Sequence, residues 1–242
     1  MKSSLTSVSN STNALVQVIN LARRPDRRET VLADFKGLGI DPLFVEAVDG
    51  LELVEAPIPG LSNTEKACWQ SHLIAMRNLL NSGRDYSLVL EDDAYPAEEF
   101  FQSNLNVLVQ LARNQNLDVL QLGFIEHLYH WYKPQGLTEA LMALKQKRLA
   151  RDTETGIKFV RNEFRAGAHA YLISKRGAKI LESCIETPPM LPFDGFLEVL
   201  SKQGGRASGM QISRLGSSII QQRSRVTAKT KIDSDVAVRN GE

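Results

Sequence analysis

Cysteine is scarce, aromatic residues are few and net charge is almost absent. Cys68 and Cys184 are the only cysteines in 242 residues. Two are too few for a disulfide framework, so a reduced, cytosolic setting is the simpler expectation. Lys and Arg number 29 against 28 Asp and Glu, a formal net charge of +1. A dedicated nucleic-acid binder normally carries a strongly basic face, and that class is excluded. No run approaches the roughly 20 apolar residues needed to span a bilayer. Residues 1–13, rich in Ser, Thr and Asn, lack the apolar core of a secretory signal and read as a disordered lead-in. Neither a G-x-G-x-x-G loop nor a Walker A sequence occurs, which removes the phosphate cradles of dinucleotide dehydrogenases and P-loop enzymes. There is no internal repeat.

What remains is an ordinary globular composition, 43% hydrophobic and 24% charged, suited to one large domain with its own core. Leu15, Val16, Val18 and Ile19 mark a buried strand over Ala14 to Leu21, followed at once by Arg23, Arg24, Asp26, Arg27 and Arg28. Pro25 suits the first turn of a helix with Val31, Leu32, Phe35 and Leu38 on one stripe, and Gly37 and Gly39 supply its stop. Leu43 to Val48 reads as a second strand. Ser62 and Glu65 have capping-box spacing before a helix from about Glu65 to Leu80, with Ala67, Cys68, Ile74, Met76 and Leu79 among its apolar positions. Further strands are expected over Tyr86 to Leu90, Val119 to Leu122 and Ala168 to Ile173, with Ser174 capping a helix through Ile185. Strands alternating with helices predict an α/β domain over 14–222, a mainly parallel sheet with helices on both faces, and a polar tail over 223–242.

The sharpest chemical signal is Leu88-Val89-Leu90-Glu91-Asp92-Asp93. Three apolar residues bury the strand, and three acids follow at its carboxyl end, the edge where open α/β sheets bind ligands. Adjacent carboxylates repel unless a cation or hydrogen-bond donors neutralise them, and a hard divalent ion such as Mn²⁺ or Mg²⁺ suits oxygen ligands. The competing reading is an acidic loop that caps the helix after Pro96. The arginines after the first strand suit phosphates as a group, while Arg24 and Arg28 read better as a solvated face. Asn20 has a purely structural alternative, satisfying backbone groups at the strand end. Glu65, Cys68 and His72 fall on one side of their helix. A Cys four residues before a His has poor geometry for nucleophile and base, so a buried Cys with a hydrogen-bonded His is preferred. Zinc is disfavoured as well, because Cys184 and the other histidines show no ligand spacing. Asp194 either caps a helix or acts as a general base. His130, Trp131 and Tyr132 form an aromatic knot that suits a sugar, a membrane surface or a satellite core.

Val18-Ile19-Asn20-Leu21-Ala22-Arg23-Arg24-Pro25-Asp26-Arg27-Arg28 resembles the opening motif of glycosyltransferase family 25, the lipooligosaccharide-biosynthesis galactosyltransferase-like proteins. Ala47-Val48-Asp49-Gly50 is similar to the family's next landmark, and Glu65 through Cys68 with Ser71 and His72 to its Glu-x-Gly-Cys-x-x-Ser-His helix. Leu88 to Ala94 and Ala168 to Ala178 resemble two later motifs. The ordered similarity covers roughly Val16 to Gln222. Ala67 stands where the family has Gly, Thr64 where Gly often precedes the Glu, and Ser213 to Gln222 lacks the family's prolines, leaving Gln222 to align.

The resemblance implies a GT-A-like (Rossmann-like) fold and inverting transfer of a sugar, galactose from UDP-galactose, to a glycan or lipooligosaccharide acceptor. Asp92 and Asp93 would hold the metal, Mn²⁺ or Mg²⁺, and Glu91 the metal or the ribose. Asn20, Arg23 and Asp49 would flank the nucleotide, Arg27 would neutralise phosphate, and Glu65 and His72 would line the same nucleotide-sugar site. Asp194 would take the acceptor proton. The setting implied is bacterial and cytoplasmic, with the basic tail bearing Arg223, Arg225, Lys229 and Lys231 as the candidate for peripheral contact with the inner membrane. The competing functions are a metal-dependent phosphohydrolase using the same acids, a catalytically inactive nucleotide-sugar binder, and a receiver-like domain. The last expects an acidic pair after the first strand, where this chain has arginines.

Overall fold

The computed structural model describes residues 14–36, 40–53, 60–96, 105–125, 137, 149–184, 190–203 and 209–222. The lead-in, the stop glycines with Leu38, the aromatic knot and the basic tail lie outside the described residues.

Ten strands and five helices are described. In chain order they are β1 (Ala14–Asn20), α1 (Pro25–Lys36), β2 (Leu43–Glu46), α2 (Asn63–Asn81), β3 (Tyr86–Glu91), β4 (Ala94–Pro96), α3 (Leu105–Asn114) and β5 (Val119–Gly123). They continue with β6 (Leu149–Arg151), β7 (Lys158–Arg161), β8 (Ala170–Ser174), α4 (Lys175–Ser183), α5 (Phe193–Lys202), β9 (Ile212–Leu215) and β10 (Ile220–Gln222). Eight strands form one sheet in the order β2-β1-β3-β8-β5-β9-β7-β6, and β10 pairs with β4 in a separate antiparallel ribbon. Six of the eight share one direction. The exceptions are β8, antiparallel to both β3 and β5, and β7, antiparallel to β9 and β6. The sheet is therefore mixed, with a reversed strand at its centre.

Side chains alternate across each strand, and helices cover both faces. Val16, Val18, Leu88, Leu90, Leu120 and Leu172 pack with α1 and α3. Ile19, Val89, Val119, Tyr171 and Ile173 pack with α2, α4 and α5. Gln17 interrupts the apolar run of β1 without leaving a polar group unpaired: its amide donates to the Ala75 carbonyl at 2.8 Å and to Ser87 Oγ at 2.9 Å. On α1 only Val31 and Phe35 are buried, whereas Leu32 is 42% exposed, so the inward stripe is narrower than the apolar spacing predicts. On α2, Cys68 and Ile74 are half-buried. Trp69, Leu73 and Ala75 join Ala67, Met76 and Leu79 in filling the core.

Close packing then positions the acid-bearing edge. A Cβ on Gly50 would lie 2.6 Å from Thr64 Cα, so only glycine lets the Asp49 loop meet the start of α2. A Cβ on Gly123 would meet His169 Nε2 at 2.3 Å and the Ile220 carbonyl at 2.4 Å. Its absence lets the His169 ring reach that carbonyl at 3.0 Å, which seats β10 beside β5 and delivers Gln222 to the turn after β3. Among the described residues, no helix is long and apolar enough to cross a membrane.

Candidate functional site

The carboxyl ends of β1 and β3 lie side by side, because the two strands pair in parallel with Ile19 opposite Glu91. A cleft opens over this edge, lined by Arg23, Arg27, Asp49, Cys68, His72, Glu91, Asp92, Asp93 and Gln222, among others. The structure thus brings together most of the site residues expected from sequence.

The three acids have different partners. Asp92 is held on both oxygens: Asn20 Nδ2 donates to Oδ2 at 2.9 Å, and the Arg27 guanidinium pairs with Oδ1 at 3.0 Å, supplying the positive charge. Asp93 Oδ2 accepts from Gln222 Nε2 at 2.9 Å, whereas Oδ1 is buried and has no hydrogen-bond partner among the described residues. Burial and the neighbouring Glu91 charge push the Asp93 carboxyl up to about 7, against a smaller lowering by Gln222. Glu91 rises to about 8, through burial first and then the charges of Asp194 and Asp92. Its Oε1 stands 3.4 Å from His72 Nε2.

The imidazole of His72 is held on two sides. Its Nδ1 is 2.9 Å from the Tyr171 hydroxyl, and its ring stacks on Phe193 at 4.1 Å between centroids and 9° between planes. Burial depresses its pKa to about 3, so it is neutral across the physiological range. Burial likewise raises the Cys68 thiol, with further upward pressure from Glu91 and Asp194. The expected hydrogen-bonded His is present, whereas Cys68, expected to be buried, is half-buried.

Arg23 Nε donates to Asp49 Oδ2 at 2.6 Å, and this hydrogen bond holds the Asp49 carboxyl below its ordinary value. Arg24, half-buried, pairs with Asp26, and Arg28 lies over the Phe44 ring at 4.2 Å, so neither lines the cleft. Glu65 does not reach the cleft. Its carboxylate accepts from the Ser62 backbone N–H and hydroxyl, both at 2.8 Å, completing the capping box that starts α2. Asp194 sits in the first turn of α5 and accepts from the N–H of Gly167 at 2.9 Å and of Gly195 at 2.8 Å. It lies outside the cleft lining, yet its charge acts on Glu91, His72 and Cys68.

Tyr171 and Phe193 escape a reading of the sequence, since each sits in an apolar stretch that signals only core. The reversed direction of β8 brings Tyr171 under His72. Ser71 has a positioning role of its own: its hydroxyl accepts from the Val48 N–H at 2.9 Å and donates to the Ala67 carbonyl at 2.7 Å, pinning the loop after β2 to α2.

Residues 14–197 match Glycosyltransferase family 25 (LPS biosynthesis protein). The chain belongs to this family. Similar relatives include the human "Inactive glycosyltransferase 25 family member 3", 29% identical over 209 residues, covering 78% of this chain and 32% of that protein. "Procollagen galactosyltransferase 1" of Danio rerio is 30% identical over 202 residues, covering 76% of this chain and 31% of its own length. The chain thus spans about a third of the length of the curated relatives it matches. Among solved structures, "Crystal structure of a glycosyltransferase involved in the glycosylation of the major capsid of PBCV-1" aligns with a TM-score of 0.39 at 9% identity, over 72% of this chain and 68% of that one. In this family 25 chain, four of the five segments that resemble the family motifs line the cleft: β1 with the arginines, the Asp49 loop, α2 and the end of β3.

Proposed function

We propose that this family 25 chain is a GT-A-like glycosyltransferase that moves galactose from UDP-galactose to a hydroxyl of a glycan or glycolipid, with inversion and with a divalent cation, Mn²⁺ or Mg²⁺. The observation that carries the reading is Asp93 Oδ1, a buried carboxylate oxygen without a hydrogen-bond partner among the described residues, beside a second uncompensated acid, Glu91. Burying such a group is costly unless a cation or a proton compensates it, and an all-oxygen pair fits a hard divalent ion. The site therefore fits the cation, with Asp93 as its principal ligand and Glu91 as a helper. Asp92, tied to Asn20 and Arg27, is a ligand only by sharing an oxygen with them. When bound, the ion supplies charge neutralisation for a diphosphate leaving group.

The other groups act by binding and orientation. Arg23 and Asp49, locked together at the cleft wall, flank the nucleotide, and Arg27 places its positive charge beside the phosphates while holding Asp92. Asp194 takes the proton of the attacking hydroxyl, its carboxylate oriented by the two backbone N–H groups. Galactose as the sugar is supported by the names of the procollagen galactosyltransferase relatives. A lipid-linked acceptor would place the work at the cytoplasmic face of the inner membrane.

A nucleotide-sugar binder without turnover is the second reading, favoured by a relative named as inactive. A thermal-shift screen of nucleotide sugars with and without Mn²⁺ tests both. UDP-galactose with Mn²⁺ at a hundred times its Kd should stabilise the protein by about 2.7 kcal/mol, and each alone should do less. No response to any nucleotide sugar contradicts both readings; a response without transfer selects the second.

A further inference from the structure

The geometry points to a second cation site in the cleft, distinct in chemistry from the all-oxygen site: a three-donor zinc site formed by Cys68 Sγ, His72 Nε2 and a Glu91 carboxylate oxygen. One ligand atom from each of these residues lies within 4.8 Å of the others. Two come from one face of α2, four residues apart, and the third from the end of β3, so no linear spacing announces the set. Sulfur, imidazole nitrogen and carboxylate oxygen together suit Zn²⁺ rather than Mg²⁺ or Mn²⁺, which prefer all-oxygen sites.

Two details separate this cluster from a chance encounter. The His72 Nε2 to Glu91 Oε1 distance is 3.4 Å, long for a hydrogen bond. Zn–N and Zn–O bonds of about 2.0–2.2 Å at a tetrahedral angle place the two donor atoms about 3.3–3.5 Å apart. The imidazole is also oriented as metal-bound histidines are: Nδ1 faces the Tyr171 hydroxyl at 2.9 Å, and Phe193 stacks on the ring, leaving Nε2 directed at the carboxylate. A tautomer with hydrogen on Nδ1 donates to Tyr171 and leaves the Nε2 lone pair for the ion. All three residues line the open cleft, which gives the ion a way in and leaves a fourth position for water. Glu91 adjoins Asp92, so zinc bound here withdraws it from the acids and opposes use of the neighbouring hard-ion site.

The test needs no donor, acceptor or activity. Metal-free protein titrated with Co²⁺, a spectroscopic stand-in for zinc, should take up one equivalent. It should show a thiolate-to-cobalt charge-transfer band and intense tetrahedral d–d bands, both abolished by zinc. Cys184→Ala and Asp93→Asn should keep the bands, whereas Cys68→Ser should lose the charge-transfer band. Tyr171→Phe should weaken zinc binding by roughly tenfold through loss of the ring's orienting partner. Absence of a charge-transfer band in the unaltered protein overturns the site, whatever the variants do. So does a band that disappears with Cys184→Ala, or one that disappears with Asp93→Asn.

Discussion

Gln222 and Asp93 lie 129 residues apart in sequence and 2.9 Å apart in space, the amide of one donating to the carboxylate of the other. That contact commits one Asp93 oxygen and leaves the other buried without a hydrogen-bond partner among the described residues. It also joins the end of β10 to the acids after β3. Replacing Gln222 by Ala should lift the Asp93 carboxyl further and leave it less well oriented. Mn²⁺ binding, read by isothermal titration calorimetry with UDP-galactose present, should weaken roughly tenfold, the usual loss for a residue that orients a ligand. An unchanged affinity would mean that β10 has no part in the site.

Stability should depend on pH in a way set by the buried acids. Folding raises Glu91 from 4.5 to about 8 and Asp93 from 3.8 to about 7. The unfolded chain releases those protons at lower pH, so their contribution is complete below the unfolded values and is lost as pH rises through the folded ones. His72 has the opposite sign: lowered from 6.5 to about 3, it contributes above pH 6.5 and loses that contribution as pH falls. The interval from 6.5 to about 8 therefore isolates the acids. In chelator, Tm should decline across it, and Asp93→Asn should both raise Tm at the upper end and flatten the decline. A wild-type Tm that climbs through the same interval would show that the acids are already compensated by the protein.

Asp118 tests the scaffold instead of the chemistry. It is 1% exposed and accepts from Ser174 Oγ at 2.9 Å, from Arg176 at 2.6 Å and from the Gln211 N–H at 2.8 Å, tying β5, the start of α4 and the segment before β9 together. Asp118→Ala strands those donors and should cost about 2–3 kcal/mol by urea unfolding. Donor binding in the surviving folded fraction should be unchanged, because none of the three donors touches the cleft. A cost below half of this range would mean that water replaces the carboxylate without loss.

Much of this cleft is legible in the sequence. The pairing of Ser62 with Glu65 is a local, three-residue relationship, and the capping box forms as its spacing predicts. The apolar run of β3 ending in three acids places them on a sheet edge without knowledge of neighbours. What escaped depends on partners far along the chain. All five residues of Ala170–Ser174 are buried, a pattern that suits a parallel or an antiparallel strand equally; pairing with β3 and β5 decides the direction, and with it the meeting of Tyr171 and His72. Helical spacing sets the side of α2 on which Glu65 stands but not its hydrogen bonds, and the α2 N-terminus claims the carboxylate. Gly123 carried no signal at all, since its meaning is the room it leaves for His169 and Ile220.

The central claim is that Asp93 holds a divalent cation on which sugar transfer depends. The most direct measurement is transfer of labelled galactose from UDP-galactose to a panel of glycan acceptors by the wild-type chain and by Asp93→Asn, each titrated with Mn²⁺ after chelation. Asparagine keeps the size of the side chain and removes the charge. The wild type should turn over only with the cation, and the variant should lose roughly 100-fold or more in kcat, the scale expected when a charge-stabilising group is removed from a transition state. A variant that keeps the wild-type rate and the same response to Mn²⁺ would contradict the assignment.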